Sequence, residues 1–206
     1  MPGVPRVDKG EGLIRTYDLL QALRSDIDTA YENLEEDRES QFLRRSVVRA
    51  VFSYIEAMIE CVKVEIRSTI RTGLYTENLT QKEKDTLGSL AIIGAPSGKF
   101  LPLDQNLKRT FKLAAKVWEL DFNLSTDGEN FRDFLAAKKA RNKLTHPRTV
   151  YDIEVTDDDM HCHTVAGMWV QSEFQKLFNE RVTSLRSGLS EEERSALANR
   201  TKENYA

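Results

Sequence analysis

Within the stretch Ala140-Arg141-Asn142-Lys143-Leu144-Thr145-His146-Pro147, three side chains bring together the types that metal-free phosphodiester chemistry uses. Histidine, here His146, moves a proton near neutral pH. Arginine, here Arg141, is permanently charged. Its planar fork matches phosphate oxygens, so it can stabilise negative charge as it develops. Asn142 adds a neutral donor and acceptor. With RNA as the substrate the 2′-hydroxyl is an internal nucleophile, and no metal or cofactor is required. Lys138, Lys139, Lys143 and Arg148 surround these residues with a basic cluster that suits a phosphate backbone. An ordinary reading stands beside this one. Arg141 pairs with an acid such as Glu56, His146 merely ends a helix, and the lysines are a solvated face.

The element that must carry these residues is a helix over about 127–145, opened by a Thr126/Glu129 capping box and stopped by Pro147. Its inward stripe is Phe131, Phe134 and Leu135. Lys138, Arg141 and Asn142 fall within that same stripe. Polar groups turned toward a core are costly unless they find partners. This end of the helix must therefore meet a cleft, an interface or a polar network. On an ideal helix Arg141 and His146 stand about 140° apart. Pro147 biases His146 away from helical geometry, which leaves its ring free to turn back toward Arg141.

The remaining periodicity predicts more helices, over about 12–35, 38–72, 81–93, 104–121 and 157–187, with a short terminal one capped by Ser190 and Glu193. The first has Leu13, Tyr17, Leu20, Leu23, Ile27, Ala30 and Leu34 at helical spacing. The second has a stripe of Val48, Phe52, Ile55, Ile59, Val62 and Ile66, ended by Gly73. Thr80 with Glu83 opens the third. Leu107, Phe111, Leu113, Ala114, Val117, Trp118 and Leu120 are the apolar set of the fourth. Trp118 and Trp169 read as core or interface residues. Residues 148–156 are a short strand or an extended link. Residues 1–11 form a loose arm and 188–206 a short helix with a tail, leaving one all-α domain over 12–187.

Composition narrows the classes. The chain has 206 residues, 40% hydrophobic and 31% charged, which suffices for one core. A net charge of -3 rules out a global basic field, so nucleic acid would have to be met by a local patch. Cys61 and Cys162 do not form a disulfide framework, the N-terminus has no apolar signal core, and no stretch approaches a membrane span. The expectation is a cytoplasmic protein. His161-Cys162-His163 is a poor metal site, because residues two apart on a helix point about 200° from each other. Gly94-Ala-Pro-Ser-Gly-Lys99 lacks the first glycine and the hydroxyl of a phosphate loop and reads as a plain loop.

The segment from Ala140 to Pro147 resembles the R-N-x-x-x-H signature of the HEPN superfamily. SVVRAVFSYIEAMIECVK resembles that family's helix with an acidic residue, which is Glu56 here. The similarity spans roughly residues 40–187. It implies an up-and-down helical bundle with extra helices. It also implies a metal-independent endoribonuclease of toxin–antitoxin, phage-defence or RNA-processing systems. Such proteins work as homodimers with two motifs in a shared cleft, often beside an antitoxin or defence-complex partner. Carried over, Arg141 and His146 are catalytic, Asn142 orients, and Glu56 holds Arg141. One group of HEPN toxins has a modifiable tyrosine two residues after the histidine. Arg148 stands there in this chain, and the nearest tyrosine is Tyr151. Other members of the superfamily are non-catalytic binding or scaffold domains.

Overall fold

The apolar residues of the second predicted helix recur on more than one face, and this decides the architecture. In the computed structural model, which describes residues 11–88 and 101–188, they form helix α2 (Gln41–Arg71). The expected stripe from Val48 to Ile66 is buried throughout, and Val47, Val51 and Met58 extend it around the helix. A helix buried this widely needs neighbours on several sides. α1 (Glu11–Glu36), α4 (Leu103–Val117) and α6 (Asp157–Ser187) provide them, while α5 (Glu129–Thr145) packs chiefly on α6. The short α3 (Gln81–Gly88) lies against α4. The result is an all-helical bundle with no strand among the described residues. No helix of these is long and apolar enough to cross a membrane.

Close approach of α6 to α2 depends on Gly167. A Cβ built there would stand 3.3 Å from Val51 Cγ1. Phe52, 1% exposed, fills the space between α2 and α6, and its truncation to alanine would cost about 3–5 kcal/mol. Trp118 and Trp169 are both core residues, and the Trp118 indole N–H donates to Thr69 Oγ1 at 3.0 Å. From α1, Ile27 is buried and Leu20, Ala30 and Leu34 pack on the core, but Tyr17 is exposed despite its place in the stripe.

Helix ends follow local chemistry. Gly73, at φ 75°, closes α2 with the paired bonds Gly73 N–H to Ile70 O and Leu74 N–H to Thr69 O. The Thr80/Glu83 and Thr156/Asp159 capping boxes both form. Three expectations need correction. α2 begins at Gln41, because residues 37–40 make the turn from α1. α4 stops at Val117, four residues before the predicted end at 121, because Glu119 takes a left-handed conformation and Leu120 N–H returns to Ala115 O. α5 begins at Glu129 with Gly128 as its N-cap, so Glu129 is not the third residue of a capping box, and the Thr126 hydroxyl donates instead to Asp127.

The stretch predicted as a strand or link over 148–156 contains a 3-10 turn, Val150–Ile153, and then extended backbone into α6. Of the arm predicted over 1–11, Glu11 opens α1; residues 1–10, the end of the third predicted helix at 89–93, the loop at 94–99 and the terminal helix from Ser190 lie outside the described residues.

Candidate functional site

Arg141 sits one turn before the end of α5, where the helix faces α2. Its Nη2 donates to Glu56 Oε1 at 2.5 Å. Its guanidinium lies 5.8 Å from the ring centre of Phe52. Phe52 and Glu56 are four residues apart on α2, so they share a face and make a floor and an anchor for one guanidinium. Nη1 of Arg141 also reaches Asn142 Oδ1 at 3.4 Å. The side chains of Arg141 and Glu56 are 30% and 43% exposed. A pair this open to water contributes at most about 1 kcal/mol to stability. Its geometric effect is larger, since it fixes the fork and leaves other N–H donors facing solvent.

Lys138, one turn earlier, donates to Asp104 Oδ1 of α4 at 2.6 Å. Burial alone would raise the Asp104 carboxyl, but the bond and charge of Lys138 bring it below its ordinary range. Lys138 and Arg141 therefore do find partners, while Asn142, placed in the inward stripe by helical spacing, is exposed. Lys138 meets its acid before any ligand arrives.

His146 is the C-cap of α5. Its backbone N–H still bonds Asn142 O at 3.1 Å, and its φ of -132° and ψ of 60° take the chain out of the helix into Pro147. That last helical bond keeps its Cα where a continuing helix would place it. No hydrogen bond joins the ring to Arg141 among the described residues. His146 lines an open groove of about 640 Å³ with Lys138, Lys139, Asn142, Lys143, Arg148 and Asp152. Arg141 lines a neighbouring one of about 380 Å³ with Glu56, Glu60 and residues from the start of α4. Asn142 and Lys138 belong to both, forming the ridge between them. A phosphodiester seated on that ridge would have the guanidinium on one side and the imidazole on the other.

Asp152 is a groove residue that motif reading missed. Its Oδ2 accepts from the backbone N–H groups of Arg148 and Thr149, each at 2.9 Å, and from the Thr149 hydroxyl at 3.2 Å. Those backbone bonds hold its carboxyl below the ordinary range. The signal was present in the spacing Thr149-x-x-Asp152, a capping box for the 3-10 turn. Phe52 and Asp104 were also missed as partners of the motif. Only packing between helices brings them there.

His163 approaches the same region from behind. It is fully buried on α6, its Nδ1 lies 2.5 Å from Asp159 O, and its ring stands edge-on to Phe52 at 5.5 Å. Burial lowers its pKa below the ordinary value. Nε2 of this ring has no hydrogen-bond partner among the described residues. His161 is exposed and His163 is buried, so the two rings diverge, as their helical spacing requires. No family model matches the chain, and no curated protein or solved structure matches it.

Proposed function

We propose that this chain is a HEPN-like, metal-independent endoribonuclease that acts as a homodimer, in a toxin–antitoxin or phage-defence setting with a protein partner, in the cytoplasm. The observation that carries the reading is the end of α5. Arg141 is fixed there by Glu56 and Phe52 from α2, beside Asn142 and an exposed His146 in a basic groove. His146 serves as general acid or base at the 2′-hydroxyl or the leaving 5′-oxygen. Arg141 stabilises the pentacovalent phosphate, Asn142 orients it, and Glu56 positions Arg141. Lys138, Lys139, Lys143 and Arg148 attract the RNA backbone. The products are a 2′,3′-cyclic phosphate and a free 5′-hydroxyl. The His146 groove is open on one side, and a second copy facing it would exclude water from the reacting phosphate.

The test is incubation with a mixed RNA pool in EDTA, beside His146→Ala, Arg141→Ala and Glu56→Gln at matched purity. Cleavage by the wild type with cyclic-phosphate ends, its loss in the first two variants, and a partial loss in Glu56→Gln are expected. Equal cleavage by wild type and His146→Ala would overturn the assignment. A second reading is favoured by the placement of Arg141 and His146 in separate grooves. In it the chain is a non-catalytic module that binds RNA or a partner protein. Binding of RNA without cleavage, weakened in the same variants, would select it.

A further inference from the structure

The turn between α5 and α6 contains two apolar side chains that the fold does not cover. Val150 is 70% exposed and Tyr151 78%. Their backbone is nevertheless firmly held. Asp152 clamps the entry of the turn through Arg148 and Thr149. From α2, Arg45 donates to Ile153 O at 3.1 Å, and Gln41 exchanges two bonds with Val155, at 3.1 and 2.8 Å. Arg44 adds a second bond to Val155 O at 3.1 Å. An aromatic ring is thus displayed to water on a prepaid scaffold.

Its neighbours define what would cover it. The same turn walls the His146 groove through Arg148 and Asp152, with Lys139 and Lys143 on the facing helix. Lys139, Lys143 and Arg148 make no ion pair among the described residues. A groove with Lys139, Lys143 and Arg148 set against the single carboxylate of Asp152, on a turn that also displays an exposed aromatic ring, combines backbone attraction with a π-face. That pairing is the physical basis of binding to unpaired nucleotides. A paired base has no open face for Tyr151, so duplex would gain only from the charges.

We propose that Tyr151 is the base-stacking residue of this site and that its ligand class is unpaired RNA, one nucleobase lying on the Tyr151 ring while adjacent phosphates lie over Lys139, Lys143 and Arg148. This rests on the reading of the groove as an RNA site. It adds that the RNA is single-stranded and that a specific residue outside the motif selects it.

The experiment is fluorescence anisotropy with a short 2′-O-methyl oligouridine, in which the internal nucleophile is blocked, and with an abasic oligomer of equal length. Tyr151→Ala is expected to weaken oligouridine binding roughly 5- to 100-fold and to leave abasic binding unchanged. Tyr151→Phe is expected to stay within about twofold of wild type for both, because the π-face is retained. Equal loss on both oligomers, or no loss on either, would overturn the stacking role while leaving the RNA site intact. So would a change in sedimentation with Tyr151→Ala, which would make the ring a protein contact. Failure of the wild type to bind either oligomer would overturn this proposal and the ribonuclease reading together.

Discussion

A guanidinium aimed by an acid and an aromatic ring is a matter of two residues on one helix meeting one on another. Glu56 was legible as the partner of Arg141, since a polar residue in an inward stripe demands an acid nearby. The floor of Phe52 was not, because which α2 side chain lies beneath α5 depends on how the helices cross. Nor was the division of Arg141 and His146 between two neighbouring grooves. Behind Phe52, His163 sets a pH limit on the fold. Burial holds its folded pKa below the ordinary 6.5, so the unfolded chain binds the proton more readily. Its contribution is fully present above about 6.5 and is lost as pH falls toward the folded value. The Tm of the wild type is expected to fall between about pH 7 and 5. His163→Gln, less stable overall, should show a flatter profile over that window. Identical slopes in the two proteins would assign the acid sensitivity to other groups.

At the scale of elements, apolar periodicity and capping signals found each described α-helix but not the 3-10 turn at Val150–Ile153, and errors gathered at the ends. Capping boxes at Thr80 and Thr156 formed directly before the first residues of α3 and α6. At Thr126 a glycine two residues later took the cap, and the helix waited for it. The early end of α4 had no sequence warning, since Glu119 is a poor residue for the left-handed conformation it adopts at φ 54°. Tertiary packing of Trp118 and Phe122 overrides that local preference. Glu119→Gly is expected to relieve it, stabilising the protein by about 0.5–1 kcal/mol and raising Tm by about 1–3 °C in a thermal melt. A lower Tm would mean that the carboxylate has a role beyond its backbone.

For the whole molecule, an acidic chain whose candidate site has only a few cations should bind RNA through few phosphates. With Lys139, Lys143 and Arg148 as the contacts, the logarithm of affinity should fall with the logarithm of salt at a slope of about -2 for single strands. Lys143→Ala should shallow that slope by about 0.7, read by anisotropy over a salt series. A slope unaltered by this substitution would place the backbone contacts elsewhere. Composition foresaw a local patch but not its boundaries. Lys138 belongs to the cluster in sequence and is neutralised by Asp104 across the helix interface.

The link that displays Val150 and Tyr151 is gripped by its backbone. Gln41, Arg44 and Arg45 hold the carbonyls of Ile153 and Val155, atoms that every residue type has. Only Val155 buries its side chain there. The display surface is therefore separable from the bundle that supports it. Sequence drift at positions 150 and 151 would change what the groove greets without changing where the turn stands. Lineages built on this arrangement can diversify in specificity faster than they diverge in architecture.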